Sequence, residues 1–251
     1  DKTAIVTGAS SGNGRAIARR FAEEGASVVV ADIQEEPREG GTPTVEQITT
    51  ETDQDAVFVE CDVTEKADLI AAADAVEELG GLDIMVNNAG IFRAEEFFEV
   101  TEAEFDQLMD INVKGVFYGM QVAGERMTAG DGGAIINLSS VAGLEGTGPY
   151  VTYCGSKGAV RLMTYAVADA LGPDGVRVNA IHPGLIETSM TTEDVPILGT
   201  EAGEAYLESI PSRRAGQPVD VANAAVFLAS DLSDYVNGES LVLDGGMTHT
   251  G

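Results

Sequence analysis

Three side chains, Ser140, Tyr153 and Lys157, have the types and the spacing for proton transfer at an oxygen atom. Residues four positions apart share one face of a helix, so the ammonium group of Lys157 is expected beside the phenol of Tyr153. A free phenol loses its proton near pH ~10, and a neighbouring positive charge lowers this pKa. Since a serine hydroxyl can orient a substrate oxygen, the three residues can move a proton on and off a carbonyl or an alcohol.

The elements that would position these residues alternate along the chain. Apolar runs rich in β-branched residues indicate strands at residues 4–7, 28–31, 56–60, 84–87, 135–138, 176–181 and 241–243. Amphipathic stretches indicate helices at residues 15–24, 44–51, 66–79, 102–127, 151–171 and 219–229. Gly25, Gly80 and Gly172 follow three of these helices and are expected to cap them. The alternation predicts an α/β fold with a parallel sheet flanked by helices on both faces.

Residues 187–214 interrupt this alternation. The segment contains Pro196, Gly199, Gly203 and Pro211 and lies beyond the sixth predicted strand. A long irregular connection in a compact domain is commonly a functional lid. We therefore expect residues 1–251 to form one domain with a substrate lid at about residues 187–214.

A glycine-rich turn, Thr7–Gly14, follows the first predicted strand and precedes a helix. Glycines let a backbone approach a ligand closely, and a helix N-terminus offers free N–H groups to a phosphate, so the turn predicts a pyrophosphate site. Asp32 ends the second strand, where a carboxylate accepts hydrogen bonds from the adenosine ribose and repels a 2′-phosphate. We expect NAD to be preferred over NADP, although Arg38 in the following loop could meet a phosphate.

The same turn contains Gly8-Ala9-Ser10-Ser11-Gly12, which also fits the G-x-S-x-G turn of serine hydrolases. In this alternative Ser10 is the nucleophile and needs a histidine, and the chain has only His182 and His249. His182 precedes a Pro-Gly pair and is expected to be structural. The alternative leaves the tyrosine–lysine pair without a function. A third alternative is a regulator that binds a dinucleotide without catalysis.

Taken together, these motifs resemble those of the short-chain dehydrogenase/reductase family in its single-domain form, over essentially the whole chain. The resemblance implies a seven-stranded Rossmann-like sheet and hydride transfer between a nicotinamide and a secondary alcohol or ketone. It implies that Tyr153 moves the proton, while Lys157 lowers its pKa and holds the nicotinamide ribose. Ser140 would polarise the carbonyl, with Ser139 as the neighbouring alternative. Asn112 would anchor a water in a proton relay through Lys157.

The resemblance also implies a set of cofactor contacts. On this basis the cofactor-binding residues are expected to be Gly8, Ser10, Ser11, Gly12, Asn13, Gly14, Asp32, Asp62, Val63, Asn88, Ala89, Gly90, Tyr153, Lys157, Pro183, Gly184, Ile186 and Thr188, with no metal ligand. Asn13 departs from the family pattern, which has an aliphatic residue there. The segment Val242–Met247 resembles that of tetrameric members such as 3-oxoacyl reductases and sugar dehydrogenases, so a homotetramer is expected.

The charge of the chain is far from neutral. It has 42 acidic and 14 basic residues, which give −28 at pH 7, and lysine is found only at positions 2, 66, 114 and 157. This charge argues against nucleic acids and anionic membranes as partners. The acids are dispersed along a chain that is 44% hydrophobic, so their repulsion is expected to destabilise the fold unless salt screens it. We infer a protein that works at high ionic strength, as halophile proteins do.

The cysteines and the apolar runs indicate the compartment. Cys61 and Cys154 lie far apart and form neither a disulfide framework nor a metal-site pattern. The sequence opens directly into an apolar strand rather than a secretory signal, and no apolar run approaches the ~20 residues of a membrane span. We therefore expect a cytoplasmic enzyme acting on a small alcohol or ketone, whose identity depends on residues 142–149 and 187–214.

Overall fold

The strands of residues 2–250, the part of the chain that the computed structural model describes, join in a seven-stranded sheet. They are β1 (Lys2–Thr7), β2 (Ala26–Asp32), β3 (Ala56–Glu60), β4 (Ile84–Asn87), β5 (Gly133–Leu138), β6 (Val176–Pro183) and β7 (Ser240–Leu243). Every pairing is parallel, and the order across the sheet is β3-β2-β1-β4-β5-β6-β7. The predicted parallel α/β sheet is therefore confirmed.

Helices connect these strands. Within residues 2–250 they are α1 (Gly12–Glu23), α2 (Thr44–Glu51), α3 (Lys66–Ala75), α4 (Glu102–Met109), α5 (Gly115–Ala129), α6 (Val151–Leu171), α7 (Glu201–Ser209), α8 (Pro218–Ala229) and α9 (Met247–Thr250). The sequence did not predict α7 or α9. Helix α7 lies inside the segment expected to be an irregular lid, and Thr200 caps it by accepting a hydrogen bond from the Gly203 amide at 3.0 Å.

The stretch at residues 102–127, predicted as one helix, is divided by a π-helical turn at Asp110–Lys114. Thr101 and Glu104 form a capping box at the start of α4, so this helix begins where the sequence indicates. The π turn widens the helix by one residue, a feature frequent at functional sites. It places Asn112 at a fully buried position.

The sheet separates two hydrophobic cores. On one face Ile17 and Phe21 of α1 and Leu228 of α8 pack against the sheet. On the other face Leu69 of α3 and Met120 of α5 do so. Successive strand residues point to opposite faces, and both faces are covered, so nearly every strand position is apolar. This is the physical reason why the strands could be predicted as continuous apolar runs.

The glycines that follow helices behave differently from one another. Gly25 and Gly80 have φ angles of 93° and 111°, the left-handed conformation expected of a C-terminal cap. Gly172 has a φ of −56° and begins a 3-10 turn, Gly172–Asp174. The left-handed residue after α6 is Gly175, with a φ of 77°. Gly172 therefore follows α6 directly, as predicted, but the left-handed conformation is reached three residues later.

The order of the strands locates a crevice. Strands β1 and β4 are neighbours in the sheet, and the chain runs from β1 towards one edge and from β4 towards the other. In open parallel sheets ligands bind at the carboxyl ends of the strands where the order reverses in this way. The glycine-rich turn after β1 and the Asn87–Gly90 segment after β4 both lie there. Within residues 2–250 no helix has the length and apolar character needed to cross a bilayer.

Candidate active site

The turn between β1 and α1 is held against the end of β4. The side-chain nitrogen of Asn88 donates to the backbone carbonyls of Thr7 and Gly8, at 2.9 and 3.1 Å. A Cβ atom at Gly14 would lie 2.1 Å from the Gly8 carbonyl oxygen and 2.5 Å from the Asn88 nitrogen. Gly8 and Gly12 have φ angles of 64° and 52°, which favour glycine. Close packing thus requires glycine at Gly8 and Gly14, and the backbone conformation favours it at Gly8 and Gly12.

Asp32 lies beside this turn at the end of β2. Its Oδ2 accepts a hydrogen bond from the Ser10 amide at 2.9 Å, and its Oδ1 accepts one from the Ile33 amide at 2.8 Å. Burial raises the pKa of the Asp32 carboxyl, and these hydrogen bonds offset part of that effect. The Ser10 hydroxyl is fully buried and donates to the Gln34 carbonyl at 2.6 Å. Since that hydroxyl is bonded to a carbonyl rather than to a histidine, the structure does not favour a hydrolase with Ser10 as nucleophile.

The loop after β2 covers the glycine turn through Glu39, which the sequence analysis did not name, and through Arg38. The Gly12 amide donates to a carboxylate oxygen of Glu39 at 3.1 Å, and the Arg38 amide donates to the Ser11 hydroxyl at 2.8 Å. The first of these shows that the N-terminal end of α1 can bind an anionic oxygen. The Arg38 guanidinium forms a two-point ion pair with Asp194, with N–O distances of 2.9 and 2.6 Å.

The segment after β6 crosses the same turn. A Cβ atom at Gly12 would lie 3.5 Å from the Thr188 methyl carbon. Ile186 is buried and pairs with Gly216 in an isolated bridge. Pro183 ends β6, and the Gly184 amide donates to the Leu243 carbonyl of β7 at 2.9 Å. Thr188 therefore lies against the glycine turn, whereas Gly184 and Ile186 are held by backbone pairing with Leu243 and Gly216.

The remaining predicted cofactor residues differ in what their atoms contact. The Ala89 amide donates to the Thr7 hydroxyl at 3.1 Å, which ties the segment after β4 to the end of β1. Asp62 bonds instead within its own segment: its carboxylate accepts a hydrogen bond from the Thr64 amide, and its amide donates one to the Asp68 carboxylate. Val63 packs on α5, where a Cβ atom at Gly115 would lie 2.7 Å from a Val63 methyl. The buried Oδ1 of Asn13 has no hydrogen-bond partner, so it can accept a bond from a ligand.

Asn112 is held rigidly by the segment after β4. It accepts a hydrogen bond from the Ile91 amide at 2.8 Å and donates to the Ile91 carbonyl at 2.9 Å. It also donates to the Ser156 hydroxyl at 3.2 Å. A Cβ atom at Gly90 would lie 3.1 Å from the Asn112 side-chain oxygen and 3.5 Å from Lys157 Nζ. Both side chains therefore border the same small space beside Gly90.

The two serines that follow β5 have different partners. The Ser139 hydroxyl is buried and donates to the Lys157 carbonyl at 2.9 Å, so it holds α6 against the sheet. The Ser140 hydroxyl accepts a hydrogen bond from the Ala142 amide at 3.1 Å and is close enough to the Tyr153 phenol to lower its pKa. Adjacent residues in an extended segment point to opposite sides. The geometry therefore brings Ser140, rather than Ser139, to Tyr153.

The tyrosine–lysine pair differs from expectation in its protonation. Burial raises the pKa of Tyr153 to about 12, although the hydrogen bond with Ser140 lowers it in part. Burial alone lowers the pKa of Lys157 to about 8. Lys157 Nζ lies 5.7 Å from the centre of the Tyr153 ring and donates to the Leu138 carbonyl at 2.8 Å. The expectation that Lys157 lowers the phenol pKa is therefore not met in this structure, because desolvation disfavours the charged form of both groups.

A cavity of about 500 Å³ lies next to Phe92, whose ring packs on that of Tyr153. Its lining includes Phe92, Glu95 and Asp194. The Phe92 ring packs on those of Tyr150 and Tyr153, with centroid distances of 4.8 and 4.7 Å. One carboxylate oxygen of Glu95 accepts a hydrogen bond from Thr152, and the other is buried without a partner. Phe92 and Glu95 were not identified from the sequence, where their only signal was a position shortly after Gly90, whereas Asp194 lies in the predicted lid segment 187–214.

Replacing Lys157 by methionine tests the cost of burying its charge. The pKa of Lys157 is about 8 in the folded chain against an ordinary value of 10.5. Between these two pKa values the unfolded chain holds a proton that the folded chain has lost, so the free energy of unfolding rises with pH. The full cost of burying the charged lysine is therefore present below about pH 8. Near pH 7 this cost is about 3 kcal/mol. We expect the stability of Lys157→Met relative to wild type to fall by about this amount as the pH rises to 10.5.

Urea unfolding at several pH values measures this difference. Lys114→Met is the matched control, because Lys114 is exposed and forms an ion pair with Asp110 at 2.9 Å. Lys114→Met should show no gain in stability over wild type near neutral pH. A stability difference between Lys157→Met and wild type that stays constant with pH would contradict the burial of a titrating lysine.

Comparisons with known proteins agree with this geometry. A family model described as enoyl-(acyl carrier protein) reductase matches residues 8–248. The chain is 41% identical over 257 residues to L-2,3-butanediol dehydrogenase of Corynebacterium glutamicum, with 99% of each chain covered. It is also 41% identical over 248 residues to a 3-alpha-(or 20-beta)-hydroxysteroid dehydrogenase of Mycobacterium tuberculosis, with 98% of this chain and 88% of that one covered.

A solved structure adds the three-dimensional comparison. The gluconate 5-dehydrogenase of Burkholderia cenocepacia J2315, in complex with NADP and tartrate, superposes with a TM-score of 0.88 at 34% sequence identity. The match covers 98% of this chain and 95% of that one. The sequence, the sheet order and the relatives lead to one conclusion: the chain is an oxidoreductase of the short-chain dehydrogenase/reductase family.

Proposed function

We propose that this chain interconverts a secondary alcohol and a ketone with NAD, and that Tyr153 is its general acid and base. The observation that carries the proposal is that Ser140, Tyr153 and Lys157 come together: Lys157 Nζ lies 5.7 Å from the centre of the Tyr153 ring, and the Ser140 hydroxyl is close enough to the phenol to lower its pKa. A hydroxyl pair of this kind can hold one substrate oxygen and exchange a proton with it.

A bound nicotinamide dinucleotide supplies or accepts the hydride in this proposal. Tyr153 takes the hydroxyl proton during alcohol oxidation and returns it during ketone reduction. Ser140 donates a hydrogen bond to the same oxygen. Lys157, whose pKa of about 8 lies close to neutral pH, exchanges protons easily and favours the phenolate when charged. Asn112, fixed by the Ile91 backbone, orients a water towards Lys157.

The residues of the crevice fit a dinucleotide. The N-terminal end of α1 accommodates an anionic oxygen, since a Glu39 carboxylate already accepts from the Gly12 amide. A pyrophosphate would replace that exposed carboxylate. Asp32 would hold the adenosine ribose, and Asp62 and Val63 would lie at the adenine. The nicotinamide end would meet Asn88, Ala89 and Gly90 together with Tyr153, Lys157, Pro183, Gly184, Ile186 and Thr188.

The preference for NAD rests on two carboxylates. Asp32 repels a 2′-phosphate, and Asp194 holds the guanidinium of Arg38, the one cation that the sequence analysis named as a phosphate partner. The gluconate 5-dehydrogenase in complex with NADP shows that the fold also accepts the phosphorylated cofactor. Discrimination between NAD and NADP therefore depends on the side chains of Asp32, Arg38 and Asp194 rather than on the fold.

Freeing Arg38 should improve the use of NADP. In Asp194→Asn the guanidinium loses its ion pair and can turn towards a 2′-phosphate. We expect kcat/KM for NADP to rise by about tenfold, equivalent to about 1.4 kcal/mol, with little change for NAD. Asp32→Ser should relax or reverse the preference through affinity, because it removes the like charge next to the ribose. Steady-state kinetics with both cofactors at one salt concentration measure these effects.

Glu193→Gln is the matched control. Glu193 precedes Asp194 and its charge also favours protonated Arg38, but Arg38 hydrogen-bonds to Asp194. The control removes the same charge without releasing the guanidinium, so it should leave the cofactor ratio nearly unchanged. Equal gains in Glu193→Gln and Asp194→Asn would show that general charge, not release of Arg38, governs the ratio. Wild type that uses NADP as well as NAD would contradict the proposed preference.

We also propose that residues 1–251 act as a single-domain homotetramer in the cytoplasm at high ionic strength. Phe105, Phe117 and Leu162 on α4, α5 and α6 are 46%, 45% and 66% exposed, and association of copies would remove such apolar groups from water. Cys61 and Cys154 are free, as in reducing compartments. The mass from sedimentation equilibrium in high KCl tests the tetramer.

The substrate is proposed to enter beneath residues 187–214. Asp194, Val195 and Pro196 of this segment line the cavity next to Phe92. A panel of secondary alcohols, vicinal diols, sugar acids and hydroxysteroids, assayed with NAD⁺ in several KCl concentrations, tests the proposed function. Formation of NADH with at least one class supports it. Dinucleotide binding with no oxidation and no ketone reduction across the panel would favour the non-catalytic regulator.

A further inference from the structure

A line of hydrogen bonds runs behind the proposed active site from α6 to the backbone of Ser140. The Arg161 Nε atom donates to the Tyr165 hydroxyl at 2.8 Å, and that hydroxyl lies 2.6 Å from the Ser240 hydroxyl. The Ser240 oxygen lies 2.9 Å from His182 Nε2. His182 Nδ1 lies 2.9 Å from the Ser140 carbonyl oxygen. These bonds link α6, β7 and β6 to Ser140, the second residue after β5.

The direction of each hydrogen bond follows from the Ser140 carbonyl, which is the last acceptor in the line. A carbonyl oxygen can only accept, so His182 Nδ1 carries the hydrogen and Nε2 of the neutral ring has a lone pair. Ser240 must then donate to Nε2, and Tyr165 must donate to Ser240. The Tyr165 oxygen is left to accept from Arg161, which always carries its charge. Every donor has one acceptor, so a single tautomer of the histidine satisfies the whole line.

The surroundings keep this arrangement in place. His182 is fully buried in β6, where it pairs with Val242 of β7. Burial lowers the pKa of the ring, so it stays neutral near pH 7. The Ser140 carbonyl also accepts from the Gly143 amide at 2.9 Å, and the Ser140 hydroxyl accepts from the Ala142 amide. Ser140 is thus held at its carbonyl by His182 and Gly143, and at its side chain by the turn that follows.

We infer that His182 is a positioning residue for Ser140: its Nδ1–H fixes the carbonyl and thereby the direction in which the Ser140 hydroxyl meets Tyr153 and the substrate oxygen. This inference rests on the proposed function, because it concerns the same serine. The sequence indicated only a structural histidine next to a Pro-Gly pair. A merely structural role would require the ring to fill space, whereas the positioning role requires one particular nitrogen.

Two amide substitutions separate these roles. In His182→Asn the side-chain nitrogen is attached to Cγ, as Nδ1 is, so it can still donate to the Ser140 carbonyl. In His182→Gln the amide extends towards Ser240 and the bond to Ser140 is lost. Both variants remove the ring and place a neutral amide in the same buried space. Rescue by asparagine but not by glutamine is therefore specific for the Nδ1 contact.

Alcohol oxidation is measured for both variants together with substrate KM, the Kd of NADH and thermal unfolding. We expect His182→Gln to lower kcat by about tenfold to a hundredfold, the range for a misplaced catalytic group, with KM and the NADH Kd nearly unchanged. His182→Asn should keep kcat within about threefold of wild type, since the geometry of Ser140 is preserved. Equal losses in the two variants, or an unchanged kcat in folded His182→Gln, would overturn the inference.

A milder variant covers the case in which His182→Gln does not fold. Ser240→Ala removes the hydrogen bond that anchors Nε2, so the ring is held at Nδ1 alone and can turn away from the Ser140 carbonyl. It should lower kcat severalfold without changing the NADH Kd, and an unchanged kcat would again overturn the inference. Tyr153→Phe in the same assay tests the proposed function separately. If that variant keeps its activity, the proposed function fails; if it loses activity while both His182 variants behave alike, only the positioning role fails.

Discussion

Tyr153→Phe should lower kcat for alcohol oxidation by at least about a hundredfold, the scale of general acid–base assistance. The substitution removes the hydroxyl whose pKa Ser140 lowers and keeps the ring that packs on Phe92. Affinity for the dinucleotide should be largely retained, because the ring and Lys157 remain. Burial raises the pKa of Tyr153 to about 12, so oxidation, which needs the phenolate, should speed up with rising pH in wild type.

The matched control for this prediction is Tyr150→Phe. Tyr150 packs on the other side of Phe92 at a centroid distance of 4.8 Å, and its loss of a hydroxyl is chemically the same. We expect that variant to stay within a few fold of wild type. Near-normal turnover by folded Tyr153→Phe, or equal losses at both tyrosines, would refute the assignment of Tyr153 as acid and base.

The second large effect concerns salt. We expect the melting temperature to rise from low to multimolar KCl, because the chain carries −28 and added ions shorten the range of its self-repulsion. The Debye length falls from ~10 Å at 0.1 M to ~3 Å at 1 M salt. Salt also weakens exposed ion pairs such as Arg38–Asp194, but with only 14 basic residues repulsion between acids dominates.

Removing acidic charge should imitate the salt. Glu35→Gln combined with Glu36→Gln neutralises two exposed carboxylates in the loop after β2. This double variant should melt at a higher temperature than wild type in low salt, and its melting temperature should depend less on KCl. Thermal unfolding followed by circular dichroism measures both proteins. A melting temperature that is flat or falls with KCl would leave the acidity of the surface without this explanation.

Parallel strands were the easiest elements to predict from the sequence. Residues such as Val28–Ala31 are buried on both faces, so burial alone makes the run continuously apolar. The π turn at Asp110–Lys114 left no such trace, because one inserted residue shifts the helical period too little to be seen. Helix α7 was missed because its sequence is rich in glutamate and contains Gly203. Its apolar pattern is weak, and only the cap at Thr200 marked its start.

The residues of the candidate site also divide into those that could be predicted from the sequence and those that could not. Motifs with special backbone needs, such as the turn containing Gly14, could be located because only glycine fits there. The ion pair between Arg38 and Asp194 could not be foreseen, because the residues are 156 positions apart. The directions in which the pKa values of Tyr153 and Lys157 shift could not be predicted from the sequence either. Helical spacing indicated that the two would be close, whereas their pKa values depend on burial, which only the fold determines.

The hydrogen on the carbinol carbon provides the most direct test of alcohol oxidation at Tyr153. A deuterated secondary alcohol, beginning with 2,3-butanediol labelled at its carbinol carbons, is incubated with NAD⁺ and wild type in high KCl, and the reduced dinucleotide is analysed by mass spectrometry. We expect NADH that carries deuterium, formed at least about a hundredfold more slowly by Tyr153→Phe. NADH without deuterium, or label transfer at the wild-type rate by Tyr153→Phe, would contradict hydride transfer assisted by this tyrosine.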